Sequence, residues 1–506
     1  MHIRNGYLFS LIFFCLLTSC ATLRQQPKEA EISPKREFRG AWIQTVFQGE
    51  YKEMTPQQMK RDFVRKLDFL QACGINALVF QVRPEADAFY KSNLEPWSRF
   101  YTGKQGQAPE GDFDLMDFLV KECRKRNMEF HAWLNPYRAA NANFTDFAES
   151  HVFRKYPGRF VKYNNQILFD PGQPQNRRFI CDVVKDIVSR YDVDAIHMDD
   201  YFYPYPVAGV NFPDDRSFER YGKQKGYTEA TRGDWRRDNV NQLIKEIKTT
   251  ILQTKPWVRF GISPFGIYRN KKSTPDGSGS ETNGLQNYDD LYADVLLWVR
   301  NGWIDYNIPQ IYWEIGHTAA DYATLINWWD GQSGNGHLYI GQDVARTMKA
   351  DQLTEKMAYE RALPNTDGNC FWPANELLWN TKGVADSLKQ HYHRYPALIP
   401  AYTQMYDRSP KAVDGLKVEP GGNGIRLVWK SDENPLNPEA ARYYVVYRFG
   451  QREKVNLDNP ANIVTVTKNT SCELPYRAGK EAFRYVVTAV DRFHNESKGK
   501  QVKVKL

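Results

Sequence analysis

A (β/α)8 barrel followed by a small all-β sandwich is the fold class that this sequence predicts. Three observations carry the prediction. From about residue 37, short β-branched or aromatic runs alternate with longer stretches of helical period, eight times over about 340 residues, which suits a barrel with long βα loops. The runs are apolar without alternation, as strands in a parallel sheet covered by helices are. Beyond about residue 410 the helical period stops and short alternating strands take over.

The eight strand candidates are Phe38–Ile43, Ala77–Val82, Phe130–Leu134, Val193–Met198, Phe260–Ser263, Tyr306–Tyr312, Leu338–Gly341 and Asn369–Trp372. Between them lie helices. Pro56 to Cys73 opens on Thr55 as a cap and carries Met59, Phe63, Leu67 and Leu70 at helical spacing. Asp114 to Arg126, Phe179 to Arg190 and Val240 to Thr254 repeat the pattern. A doubly wound open sheet is the rival, but no GxGxxG follows the first strand. In the last hundred residues, Ile425–Trp429, Tyr443–Arg448 and Phe483–Val490 alternate, and Gly421 to Gly424 is turn material. Trp429, Tyr444 to Tyr447 and Tyr485 to Asp491 resemble a fibronectin type III domain, a module that spaces or docks a catalytic domain. The expected division is therefore a barrel over residues 36–400 and a fibronectin type III-like sandwich over 410–506.

The N-terminus reads as a leader. Arg4 precedes an apolar run from Tyr7 to Leu17, too short to span a bilayer, and Leu17-Thr18-Ser19-Cys20 follows. This resembles a bacterial lipobox in which Cys20 is lipidated. Residues 1–20 would then be signal peptide and lipidation site, 21–35 a polar flexible tether, and the membrane a partner through the Cys20 anchor. Ala21 supplies no Asp-type retention signal, so the outer membrane is the expected location. Of the 7 Cys, the five beyond Cys20 are widely spaced and odd in number, which favours buried free thiols over disulfides or zinc. The net charge of +8 is spread without a basic stripe, so nucleic acid is not an expected partner. The aromatic share of 14%, with 13 Trp and 30 Tyr, suits a cleft in which sugar faces stack on rings.

Barrel enzymes carry their chemistry at the C-terminal ends of strands. The fourth strand ends in His197-Met198-Asp199-Asp200-Tyr201-Phe202-Tyr203. Two adjacent carboxylates beside an apolar strand cost desolvation and mutual repulsion, which a purely structural role rarely accepts. The sixth ends in Gln310-Ile311-Tyr312-Trp313-Glu314, where an apolar setting would raise a carboxyl toward general-acid duty. Hydrolysis of a glycosidic bond uses two carboxyl groups. Asp199 or Asp200 is thus the expected nucleophile or base and Glu314 the expected proton donor. Period two puts His197 and Asp199 on one side of the strand and favours Asp199 facing into the barrel. The other strand ends contribute expected substrate contacts. These are Arg39 and Trp42, Gln81 and Arg83, Trp133, Asn135 and Arg138, then His197, Tyr201 and Tyr203, then Gln310, Tyr312 and Trp313, and finally Trp372 and Asn375. Ser263-Pro264-Phe265-Gly266 closes the fifth strand in the same way.

Five segments in order resemble the glycosyl hydrolase-like 10 family: Glu37 to Trp42, Asn76 to Pro84, Ala132 to Arg138, His197 to Pro204 and Gln310 to Trp313. The resemblance spans roughly residues 36–395. It implies a bacterial envelope lipoprotein with a (β/α)8 barrel and a glycan substrate. A related enterobacterial lipoprotein acts on peptidoglycan strands stripped of peptides, which points to a β-1,4 bond between amino sugars as the target. No cofactor or metal is expected. Two alternatives stand beside this reading: a non-catalytic glycan receptor, and a metal-dependent deacetylase using Asp199, Asp200, His197 and His317. Only nine His and no HxxxH weigh against the second.

Overall fold

The computed structural model describes residues 33–506, apart from 142, 333, 423, 433, 435, 436 and 476–480. The leader, Cys20 and most of the expected tether therefore lie outside the described residues. Residues 33–35, assigned to the tether, are already packed on the folded body. Ser33 Oγ donates to the Tyr392 carbonyl at 3.1 Å and Lys35 pairs with Glu496 at 2.6 Å. No helix among the described residues is long and apolar enough to cross a membrane.

Eight parallel strands close the barrel: β1 (Phe38–Ile43), β2 (Ala77–Arg83), β3 (Glu129–Leu134), β4 (Ala195–Met198), β5 (Arg259–Ile262), β6 (Tyr306–Asn307), β7 (His337–Asp343) and β8 (Thr366–Trp372). They pair in sequence order and β8 returns to β1, with Phe38 opposite Gly368. The sixth strand is far shorter than its apolar run suggested. Pro309 has no N–H to give the ladder, so pairing stops at Asn307 and resumes only as single bridges at Gln310.

The helices start where local chemistry starts them. Thr55 and Gln58 form a capping box at the head of Pro56–Ala72. Asp114 caps Leu115–Lys125. Pro174 opens Pro174–Arg190 five residues before the expected start, because proline suits the first helical turn. Their apolar faces, such as Met59, Phe63, Leu67 and Leu70, are buried against the outside of the barrel. Cys73, Cys123, Cys181 and Cys370 are buried free thiols and Cys472 is half-buried.

The barrel lumen has its own aromatic core. Phe38 stacks on Tyr339 with centroids 4.1 Å apart, and Tyr306 lies beside both. Gly261 makes that possible, since a Cβ there would sit 1.9 Å from the Tyr306 ring.

The C-terminal unit is a sandwich of seven antiparallel strands: β9 (Asp414–Gly421), β10 (Gly424–Lys430), β11 (Tyr443–Gly450), β12 (Ile463–Thr467), β13 (Ser471–Pro475), β14 (Ala482–Val490) and β15 (Lys500–Lys505). One sheet runs β9-β10-β13 and the other β12-β11-β14-β15. Trp429, Tyr444, Val446, Tyr485 and Val487 fill the space between the sheets. This unit packs on the N-terminal end of the barrel, away from the strand ends that carry chemistry. Tyr402 and Phe493 plug the lumen there. His494 Nε2 reaches Glu129 Oε1 at 2.6 Å, and Arg442 and Arg492 both pair with Asp192.

Candidate active site

At the C-terminal end of the barrel lies a cleft of about 450 Å³. That volume accommodates one or two sugar rings. Eleven of the predicted site residues line it: Trp42, Gln81, Trp133, Arg138, Asp199, Asp200, Tyr201, Gln310, Tyr312, Trp313 and Trp372. They come from six different strand ends, so it is barrel closure that assembles them.

Asp199 and Asp200 follow β4 directly and are almost fully buried. Asp199 continues the inward-facing side set by Ala195 and His197. Asn135 Nδ2 donates to its Oδ1 at 3.4 Å, and the Asn135 side-chain carbonyl accepts from the Arg138 amide at 2.8 Å. Asn135 thus lies behind the carboxylate and supports both it and Arg138. Burial, then the charge of Asp200, push the Asp199 carboxyl up to about 7, and Arg138 only partly offsets them. Burial raises Asp200 too, but its charged form has dedicated donors. Tyr205 donates its hydroxyl to Oδ2, and Gln310 Nε2 donates to Oδ1 at 3.1 Å. The two carboxyls titrate as a coupled pair, and the Tyr205 and Gln310 donors favour the charged form of Asp200.

The walls are aromatic. Trp133 and Trp372 meet edge to face at 6.1 Å. Tyr201 and Tyr205 stack at 5.5 Å, and the Arg138 guanidinium lies 5.0 Å from the Tyr201 ring centre. Phe47, 60% exposed, stands at the open rim.

The remaining predicted residues lie elsewhere. Glu314, expected to face the aspartates across the mouth, does not line the cleft. Beyond the β6 break the chain turns, and the Glu314 charge acts on Lys356, whose ammonium donates to the Trp313 carbonyl at 2.9 Å. Arg39 sits low on β1 and points outward, paired with Glu37 at 2.5 Å and donating to the Tyr395 carbonyl. Arg83 would face inward by period two. A register shift between Gln81 and Arg83 instead turns it out to Glu95 at 2.6 Å. Tyr203 is buried beneath the loop against Phe212, Tyr292 and Arg236. His197 lies in the lumen below the cleft floor, within 2.9 Å of Ser263 Oγ. Asn375 belongs to the short helix Ala374–Leu378 and is not part of the lining. The four residues weighed as metal ligands are not gathered. The His317 ring accepts from the Ala319 and Ala320 amides, and no cluster of three or more His, Cys, Asp or Glu side chains placed to hold a metal occurs among the described residues.

Sequence reasoning left Gln44, Val46, Phe47, Tyr205 and Arg346 unassigned, and placed Ser263 and Phe265 at a strand end without a role; all seven line the cleft. Gln44 to Phe47 directly follow β1, which was a usable signal. Arg346 was hidden because β7 runs two residues past its apolar stretch, to Asp343, before the helix Val344–Lys349 begins.

Replacing Tyr205 by Phe removes a donor that stabilises the ionised form of Asp200. The Asp200 carboxyl should then titrate higher, and the acid limb of a pH–activity profile should move to higher pH. Activity at the optimum should fall about tenfold. An acid limb that stays in place would show that Asp200 does not need its charge.

The family model described as Glycosyl hydrolase-like 10 matches residues 37–358. A Bacillus subtilis protein, Glycosyl hydrolase YngK, is 39% identical over 489 residues, covering 93% of this chain and 94% of its own length. Glycosyl hydrolase DigH of Escherichia coli K12 is 34% identical over 362 residues, covering 64% of this chain and 80% of its own. Among solved structures, the catalytic domain of a Paenibacillus polymyxa β-amylase aligns with a TM-score of 0.44 at 11% identity, over 71% of this chain and 98% of that one.

Proposed function

Because the chain belongs to the glycosyl hydrolase-like 10 family, we propose that it is a lipid-anchored envelope glycosidase whose substrate is a glycan of the peptidoglycan type. One observation carries the catalytic reading. A buried pair of adjacent carboxyls sits at the floor of an aromatic cleft, with burial and the neighbouring charge pushing Asp199 up to about 7 and with Tyr205 and Gln310 donating to Asp200.

In this mechanism Asp199 takes the proton-donor role first assigned to Glu314. It protonates the leaving glycosidic oxygen, which requires a carboxyl whose proton survives at the working pH. Asp200, ionised, meets the positive charge that develops at the anomeric carbon as the C–O bond breaks; a water then adds there and its proton returns to the Asp199 carboxylate. Tyr201, Tyr205 and Trp372 offer ring faces to the sugar, and Arg138 offers a fixed cation beside the pair. The lipobox at Cys20 supports the anchor, and the sandwich on the opposite end of the barrel leaves the cleft open to a polymer. The 3+4 strand order of that sandwich supports the fibronectin type III-like reading.

The test is incubation with peptide-free peptidoglycan strands, with products read by mass spectrometry. Wild type should release fragments whose masses give the bond cleaved. Asp199→Asn and Asp200→Asn should release none, while Glu314→Gln should act like wild type. Strand binding without cleavage by the wild type would establish a glycan receptor instead. Loss of activity in Glu314→Gln alone would return the proton-donor role to Glu314.

A further inference from the structure

A continuous chain of buried polar groups runs up the barrel axis from the sandwich to the cleft floor. At the bottom, Glu129 accepts from Arg259 and from His494 of the sandwich, the latter at 2.6 Å. Its other oxygen meets His131 Nε2 at 2.9 Å. His131 Nδ1 is 2.8 Å from the Tyr306 hydroxyl, and that hydroxyl is 3.2 Å from His197 Nδ1. At the top, His197 Nε2 lies 2.9 Å from Ser263 Oγ and 3.3 Å from the Trp42 indole N–H. Every link is at most 5% exposed.

The two ends of this chain can each act in only one sense. Burial alone would raise the Glu129 carboxyl, but Arg259, His494 and His131 hold it well below the usual range, so it is an ionised acceptor. An indole N–H can only donate. His197 Nε2 must therefore be an acceptor. Burial keeps this imidazole neutral, so its proton is on Nδ1 and points at the Tyr306 oxygen. Tyr306 then donates to His131 Nδ1, and His131 donates from Nε2 to Glu129. Reasoning upward from the carboxylate gives the same direction as reasoning downward from the indole. One consequence remains at the cleft: with Nε2 unprotonated, the Ser263 hydroxyl at 2.9 Å gives its hydrogen to the lone pair that the longer Trp42 contact shares, and its own oxygen lone pairs are left for the cleft.

We propose that this chain makes Ser263 a fixed hydrogen-bond acceptor that positions a donor group of the bound sugar, an O–H or an amide N–H, beside Asp199 and Asp200. The proposal rests on the glycan-cleft reading for the ligand, though the polarity of the chain does not. Ser263 would be a substrate-contacting residue, with His197, Tyr306 and His131 as positioning residues acting through it. A sugar presenting only an acceptor at that point would leave two lone pairs opposed and be rejected.

The test uses the full chain with nitrogen-15 histidine. Imidazole spectra should show His197 as the neutral Nδ1–H tautomer and His131 as the neutral Nε2–H tautomer, assigned through single His→Gln variants. His197 as the Nε2–H tautomer or as imidazolium would overturn the proposal. A double-mutant cycle then reads the coupling, with Ser263→Ala and Tyr306→Phe each lowering kcat/KM on peptide-free strands about tenfold. The double variant should lose little more than either single one. Fully additive losses would refute action through Ser263. Should wild type bind strands without cleaving them, the cycle is read on Kd, so failure of the hydrolase reading leaves this test intact. Ser263→Thr, which keeps the hydroxyl, should retain most activity. Equal loss in Thr and Ala variants would mean that packing, not the acceptor, matters.

Discussion

Asp199→Asn is expected to abolish hydrolysis while making the folded protein more stable above neutral pH. Burial pushes the folded carboxyl up to about 7, against about 3.9 for an Asp in an unfolded chain. The native state therefore binds more protons than the unfolded chain between these values. Stability then falls as pH rises through that window, and the full cost is present above pH 7. Three pKa units correspond to a cost on the order of 4 kcal/mol, an upper bound because Asp200 shares in the titration. Asn carries no charge and escapes this cost. The difference in Tm between variant and wild type should be smallest near pH 4, widen up to about pH 7 and level off above it. A difference that is constant or shrinks with pH would contradict the burial argument. Activity should drop by about two to four orders of magnitude, the usual contribution of a general acid. The wild-type rate should also decline as pH rises past about 7, where Asp199 loses the proton it donates.

Glu129→Ala should be strongly destabilising. Glu129 is the shared partner of Arg259, His131 and His494, and all four side chains are buried at the junction of barrel and sandwich. Removing it leaves the Arg259 guanidinium buried without a counter-charge, a loss of about 3–5 kcal/mol. The Arg259 guanidinium, 4.7 Å from the Tyr402 ring centre, would keep only that cation–π contact and not its ion pair. Calorimetry should show a lower transition for the barrel and partial uncoupling of the sandwich, whose His494 would lose its anchor. Glu129→Gln, which keeps the shape and an acceptor oxygen, should cost less than Ala. A change of under about 1 kcal/mol in the Ala variant would mean that the domains are held by their other contacts, such as Asp192 with Arg442 and Arg492 and the Tyr402–Phe493 plug.

The sequence by itself determined the order of the elements. Apolar runs of strand length, interrupted by helical periods with Thr55, Asp114 and Pro174 at helix starts, are local signals, and local chemistry decides them. It also located most of the cleft, because in a parallel barrel the residue just past a strand end must face the mouth. Trp42, Gln81, Trp133, Asp199, Asp200 and Trp372 were legible for that reason. The strand ends failed as guides where the regular period broke. Pro309 cut β6 short and turned Glu314 away, and the register shift after Gln81 turned Arg83 outward. Arg39 was misread because it alternates with Phe38 and shares the outward face of β1 with Ala41 and Ile43. What only the tertiary structure decided was partnership. Glu129, His131, Tyr306, His197 and Ser263 come from three strands and the loop after β5, and His494 from another domain. No spacing in the chain connects them. Closure of the barrel brings them onto one axis, and in that dry interior each polar group must find a partner of the opposite sense. The same closure distinguishes Asp199 from Asp200. They are identical neighbours in sequence, and they differ only in the partners the fold delivers: Asn135 to Asp199, and Tyr205 and Gln310, from a loop and a different strand end, to Asp200.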